Sequence, residues 1–439
     1  MKYARRFSLI LIFFLGKTGF SQDLFLKNIQ IVDPASRKVR QASLLVEGGK
    51  ISEIGSHRPP SIAADEIDLS GKWLIPGLND MHVHSYGNAA PGNATEFLST
   101  EGTAKRMLYC GVTAFLDLFN MESYIFSLRD RQRKAGLVGA DIYCAGPCFT
   151  CSSGHCTEYG VPTRVIDSPE DARREIADLA PKNPDVIKLV YDHASTRMPT
   201  VNRETMEALI QAANERGIKT VIHIGTWQDA AEAIRAGATA ITHLHGEEIP
   251  DSLVQLIKEK DVFVIPTLAV QSELHKISNN PVFLDNPLLA KVVAARVIEA
   301  YRDSSSWGDR AQRWLDWQER MTKSQSRTIK KLVDAEIKIM TGTDAGNWGT
   351  FQGFSVHREL QLMVEMGMTG WQALAAATII PGEFLSQSFG VGVGDWANFV
   401  ILEASPIADI SNTQKIVMVI HRGRIVDRES LLAPLASSQ

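Results

Sequence analysis

The sequence predicts an α/β fold: a (β/α)8 TIM-type barrel with a small discontinuous β-sandwich domain formed by both chain ends. Three observations predict it. Short β-rich runs alternate with helical segments through the middle of the chain, and repeated βα units imply a parallel sheet. Those runs number eight, as a closed parallel barrel requires. Both chain ends instead read as short antiparallel strands, too few at either end to enclose a core alone. A doubly wound open sheet is the alternative, but no glycine-rich phosphate loop follows the first central strand to support it.

The bulk numbers agree with that size and class. The chain has 439 residues, 44% hydrophobic and 22% charged, which suits one large domain plus a small one. Its net charge of −4 gives no electrostatic case for a nucleic-acid partner, which would want a clustered basic face. Residues 1–6 are basic and residues 7–16 apolar, too short to span a bilayer comfortably, and Gly19 and Ser21 precede Gln22. This reads as a signal peptide, residues 1–21, with an uncleaved anchor as the alternative. No cysteine follows the apolar run, so a lipid anchor is not expected. The mature chain is expected to be exported, periplasmic or extracellular, with no stable membrane anchor after signal cleavage.

Residues 22–77 and 390–439 form the expected composite domain. Runs 24–32 and 42–47 are β-rich, and Gly48-Gly49 turns into 50–54. At the other end, 396–402, 416–420 and 425–426 have the same texture. The barrel is expected over 78–389. Its strands are the run ending at His84, then 113–117, 140–144, 186–190, 219–223, 238–243, 262–265 and 337–341, with helices such as 203–216 and 229–236 between them. A helical insertion at about 271–334 carries Trp307, Trp314 and Trp317. It reads either as a lid or substrate wall or as a structural helical pair with core tryptophans. Four of the five cysteines crowd into Cys144, Cys148, Cys151 and Cys156. A disulfide, free thiols and a zinc knot all remain open there.

Active sites of such barrels sit at the C-terminal ends of the strands. His82 and His84 end the first strand. Period 2 sends both the same way, about 7 Å apart along the strand. Lys188 sits on the fourth strand, His223 on the fifth and His243 on the sixth, and Asp344 follows the eighth. Each alone has an ordinary structural reading: a hydrogen-bonded core histidine, a surface lysine, a helix N-cap aspartate. Their coincidence at successive strand ends points to a metal centre.

These residues lie in Leu74-Ile-Pro-Gly-Leu-Asn-Asp-Met-His-Val-His84, Val186-Ile-Lys188, Val221-Ile-His223, Ile241-Thr-His243 and Thr341-Gly-Thr-Asp344. With His357-Arg-Glu-Leu-Gln-Leu362, Ala373-Leu-Ala-Ala-Ala-Thr378 and Ile420-His-Arg-Gly-Arg-Ile425, they resemble the amidohydrolase superfamily, in its imidazolonepropionase-like and Xaa-Pro dipeptidase (prolidase-like) branch. The similarity covers almost the whole mature chain. It implies two divalent metal ions, usually Zn2+, with His82, His84 and Asp344 at one and His223 and His243 at the other. It also implies an N6-carboxylated Lys188 as bridging ligand. An unmodified ammonium has donors only and cannot ligate a cation, whereas burial favours the free amine that takes up carbon dioxide. A single-metal site is the fallback if Lys188 stays unmodified.

The implied reaction is hydrolysis of a carbon–nitrogen bond by a metal-bridging hydroxide. Asp344 serves as general base and acid, and the substrate is a dipeptide or N-acyl amino acid. Cyclic amides, lactones or phosphotriesters on the same centre are the alternative, and a non-catalytic barrel binding protein is the alternative from another class. His245 shares a face with His243 and competes with it for the ligand role, which the family pattern gives to His243. His155, Tyr191, His245 and Trp348 are candidate substrate-binding residues, and His193 is a further pocket candidate. Gly225 departs from the aromatic expected there in proline-releasing relatives, and Gly394-Asp-Trp-Ala-Asn398 departs from the usual Gly-Lys-x-Ala-Asp turn. The expected partner is a small-molecule substrate. Homo-oligomers are common in the family, but the sequence identifies no interface.

Overall fold

The computed structural model describes residues 23–55, 64–195 and 197–432. The expected signal peptide lies outside the described residues. The barrel begins at Leu78–Val83, which pairs in parallel with Val112–Asp117, itself paired with Asp141–Cys144. The third strand breaks at Ala145-Gly146-Pro147 and resumes at Cys148–Thr150, beside Ile187–Tyr191. Thr220–Ile224, Ala240–Thr242 and Phe263–Ile265 continue the parallel order. Residues 337–341 form no regular strand, yet they close the ring. Ile339 bridges Val264 in parallel, and the Met81 amide donates to the Thr341 carbonyl at 2.9 Å.

Alternation along these strands sorts side chains into two sets. Met81, Leu116, Val221, Ala240, Ile265 and Met340 fill the barrel interior as one apolar cluster. Ile187, Leu189, Ile222, Ile241 and Val264 point outward into a larger core shared with the surrounding helices, among them Arg203–Asn214 and Ser355–Glu365. Each such fully buried aliphatic contributes about 1.5–3 kcal/mol by leaving water. The apolar plug leaves the C-terminal strand ends as the place where polar groups can gather.

The second unit is one curled eight-stranded sheet from both chain ends. Leu24–Asp33 runs antiparallel to Lys38–Glu47 and parallel to Trp73–Pro76. Trp73–Pro76 then pairs antiparallel with Phe399–Leu402, and that strand with Ile416–His421. Leu24, Leu26, Ile29, Leu74, Phe399 and Ile401 form its separate core. Gly77 is the only residue between Trp73–Pro76 and the first barrel strand. A Cβ there would lie 2.1 Å from Thr113 Oγ1, so only glycine lets the chain cross at this point.

An ion cluster ties the two units together. Asp141, at the start of the third barrel strand, lies 3.3 Å from His421 Nε2 and 2.8 Å from an Arg422 guanidinium nitrogen in the sheet. Burial pushes the Asp141 carboxyl up, but His421 and Arg422 together carry it below its usual range. Such a carboxylate stabilises the fold above the unfolded pKa of about 3.9, and the contribution is lost as pH falls through the lower folded value. Asp141→Asn is therefore expected to cost about 3 kcal/mol in urea unfolding at pH 7. The gap between variant and wild type should shrink at acid pH. An equal stability at pH 7 would show that the cluster is not a tie.

Candidate metal centre

The first barrel strand delivers His82 and His84. Its register shifts between Asp80 and Val83, an irregularity typical of strand ends that aim side chains at a site. His82 Nε2 and His84 Nε2 lie 3.4 and 3.0 Å from Asp344 Oδ1. Ligand atoms of these three residues all fall within 4.8 Å of one another. Asp344 and His243 both have left-handed backbone, at φ +56° and +76°. Non-glycine residues hold this only when their surroundings over-determine it. Here the Asp344 amide donates to the His82 carbonyl at 2.8 Å, and the His243 amide to the Ile265 carbonyl at 2.9 Å.

The fifth and sixth strands supply His223 and His243, whose ring centroids are 4.3 Å apart. The His243 ring is 5.0 Å from that of His82, so the two pairs of histidines are contiguous. Lys188, on the fourth strand, lines the same cavity and is near enough to act electrostatically on His82, His223 and His243. It is 2% exposed, and its Nζ has no hydrogen-bond partner among the described residues. His84 Nδ1 is likewise buried without a partner.

The electrostatics favour a metal over protons. Burial pushes the imidazoles of His82 and His223 well down, and that of His243 to about 3. Burial also lowers Lys188. The Asp344 carboxyl is pushed up by burial, but His82, His84 and His243 carry it well below the usual carboxylate range. Neutral imidazoles, an ionised carboxylate and an amine driven toward its free form are the protonation states a divalent-metal site needs. The residues present therefore fit a metal centre.

Groups the sequence did not single out hold these side chains. Asp80 accepts hydrogen bonds from the His82 amide at 3.3 Å and from Thr343 Oγ1 at 2.6 Å, joining the first strand to the turn that bears Asp344. Burial pushes its carboxyl up to about 7. Thr242 Oγ1 bonds His82 Nδ1 at 2.7 Å, and Thr267 Oγ1 bonds His243 Nδ1 at 2.8 Å. Glu359 accepts the amides of Leu268 and Ala269, next to Thr267. Partners of this kind fix the tautomer and ring orientation of metal-binding histidines. Most of these supports act across separate strands or turns, which no local sequence pattern encodes.

The centre opens into a cavity of about 1060 Å³. His155 lines it, with its ring 5.3 Å from that of His223. His245 lines it too, its Nδ1 held by the Gly225 carbonyl at 2.9 Å. This turns its imidazole away from the position His243 occupies. Tyr191 and Trp348 do not line this cavity. Lys188 and Val190 point inward, so alternation sends Tyr191 outward, where its hydroxyl donates to Glu232. Trp348 backs the wall from behind, packed against Trp314 at 5.8 Å and under the Arg310 guanidinium. His193 pairs with Asp229 outside the cavity, and Asp192 faces it instead.

The departure at Gly225 has a steric cause. A Cβ at that position would lie 1.6 Å from Asp192 Oδ1, so an aromatic there would displace the Asp192 loop. The insertion divides between its two readings. Trp307 is core, its Nε1 donating to the Ala300 carbonyl. Trp314 and Trp317, on the long helix Gly308–Asp334, line the cavity. All five cysteines are free and buried.

A model of the amidohydrolase family matches residues 73–426. An uncharacterized protein of Mycobacterium bovis is 22% identical over 372 residues, covering 80% of this chain and 86% of its own. A crystal structure of a Xaa-Pro dipeptidase with methionine bound in its active site superposes with TM-score 0.75 at 22% identity, covering 92% of this chain and all of that one. Molinate hydrolase superposes with TM-score 0.72 at 19% identity, covering 95% and 97%. At these identities the structural likenesses speak for the fold.

Proposed function

The chain belongs to the amidohydrolase family and is a hydrolase of carbon–nitrogen bonds, and from that premise we propose that it cleaves the amide bond of a dipeptide or an N-acyl amino acid. The observation that carries this reading is the gathering of His82, His84, Asp344, His223 and His243 around the buried, unpartnered Lys188 Nζ at the floor of one cavity. His82, His84 and Asp344 would hold one divalent ion, zinc in our reading. His223 and His243 would hold a second, and Lys188 would bridge them after N6-carboxylation. When bound, the ions would polarise the scissile carbonyl and lower the pKa of water.

The chain's own groups do the rest. Asp344, ionised and beside both His82 and His84, takes the proton of the attacking water and passes it to the leaving nitrogen. His155 and His245 contact substrate from the cavity wall. Arg313 and Arg320 line the cavity from the long helix, and neither is in an ion pair among the described residues. They suit the free carboxylate that dipeptides and N-acyl amino acids share, and Trp314 and Trp317 offer an apolar face beside them. The dipeptidase neighbour, with an amino acid in its active site, supports the same substrate class. We also place the protein's action outside the cytoplasm, on the character of residues 1–16.

The test pairs elemental analysis of purified protein and His82→Ala with a substrate panel of dipeptides, N-acyl amino acids, cyclic amides, lactones and phosphotriesters. The expected result is about two metal ions per chain, fewer in the variant, and turnover confined to amides with a free carboxylate. Turnover of lactones or phosphotriesters alone would reassign the substrate. An inert panel with metal content unchanged in His82→Ala would overturn the reading.

A further inference from the structure

Cys148 and Cys156 are the one pair of thiols in contact among the described residues: the Cys156 thiol donates to Cys148 Sγ at 2.7 Å. The pair sits in a small apolar cluster of its own with Phe119 and Val190, whereas Cys110, Cys144 and Cys151 belong to the helix-facing core. Cys148 lies on the third strand in register with Lys188. Cys156 lies on the loop that follows, at φ +89°, and lines the cavity. That loop also carries His155 and Tyr159, both in the cavity wall. Neither sulfur belongs to a group of side chains close enough to share a metal ion among the described residues.

We propose that Cys148 and Cys156 form a reversible dithiol–disulfide pair that staples the His155 loop to the strand beside Lys188. Both sulfurs are buried, at 0% and 5% exposure, but Cys156 is reached through the cavity, so it is the thiol that meets an oxidant. The oxidant is a low-molecular-weight disulfide such as oxidised glutathione. Cys156 thiolate attacks one of its sulfurs, breaking that S–S bond and releasing one glutathione thiol. Cys148 thiolate then attacks Cys156 Sγ of the mixed disulfide, forming the internal S–S bond and releasing the second thiol. The protein gives up two protons and two electrons, and the small disulfide is reduced by the same amount. The bond pins His155 at the His223 side of the cavity, so the redox state governs the freedom of one wall without touching the six residues assigned to the metals.

The experiment incubates the purified full chain with oxidised glutathione, alkylates remaining thiols under denaturing conditions and maps the peptides by mass spectrometry. The expected result is loss of two of the five thiols, with the linked peptide joining Cys148 to Cys156. Cys148→Ala should instead retain glutathione on Cys156 as a stable mixed disulfide, and reductant should reverse both. Alkylation of all five thiols after oxidation, or a link through Cys144 or Cys151, would overturn the proposal. The readout depends neither on metal content nor on hydrolysis, so it stands or falls separately from the proposed function.

Discussion

Lys188→Ala is expected to lower kcat/KM by about 1,000-fold or more, roughly 4 kcal/mol of transition-state stabilisation, and to reduce the metal content from about two per chain to about one. The reason lies in what surrounds this side chain. At 2% exposure, with no partner for its Nζ, an ammonium would be a buried charge left unpaired. Burial drives the amine toward its neutral form, and a neutral amine is the nucleophile that takes up carbon dioxide. A carbamate formed there would offer two oxygens in place of three N–H donors. His82, His223 and His243, neutral in the fold, crowd the same point. Removing the side chain leaves His82, His84 and Asp344 as the stronger remaining group. A further arm tests the carbamate itself. A short carboxylic acid such as propionate, added at high concentration, should enter the space left by Lys188→Ala and restore part of the lost activity. Unchanged metal content and activity in Lys188→Ala would remove the bridge from the mechanism and leave a single-metal site.

Asp344→Asn should lower kcat by about 1,000-fold, inside the range of about 100- to 10,000-fold that general acid–base groups supply. Metal content should stay near that of wild type. The two readouts separate because the substitution keeps an oxygen where Oδ1 lies, 3.0 Å from His84 Nε2, while removing the capacity to take a proton. Asparagine is also among the few residues that tolerate the left-handed backbone, at φ +56°, that this turn demands. The variant should therefore fold. Asp344→Ala would lose the ligand as well as the base, so its metal content should fall. Turnover of Asp344→Asn at a wild-type rate would assign the proton transfer to another group and return His155 and His245 to consideration.

The six metal-site candidates were legible because they fall on or just after five β-rich runs, His82 and His84 sharing the first, and the strand period decides which side chains share a face. The same period puts Val186 and Val190 on the inward side with Lys188, as the structure shows. Applied past the strand end it has no force. Tyr191 obeys the alternation and leaves the cavity, whereas Trp348 lies on an irregular turn whose path only packing against Trp314 and Arg310 determines. The family pattern favours His243 over His245, two residues on, and the fold supplies the physical reason. A left-handed turn and the Thr267 hydroxyl orient the first toward His223, and the Gly225 carbonyl holds the second on the wall.

By itself the sequence determined the barrel, the sheet made from both ends and the residues at the strand ends, since these follow from hydrophobic period, turn residues and residue type within short windows. Only the tertiary structure decided what surrounds them: Asp80, Thr242, Thr267 and Glu359 as supports, Asp192 in the space beside Gly225, Trp314 and Trp317 as cavity wall, and Cys148 against Cys156. For most of these the physical reason is separation along the chain. Hydrogen bonds such as Thr343 to Asp80 and Thr242 to His82 join residues more than a hundred positions apart, and no local pattern encodes which distant side chain a closed barrel brings within 3 Å.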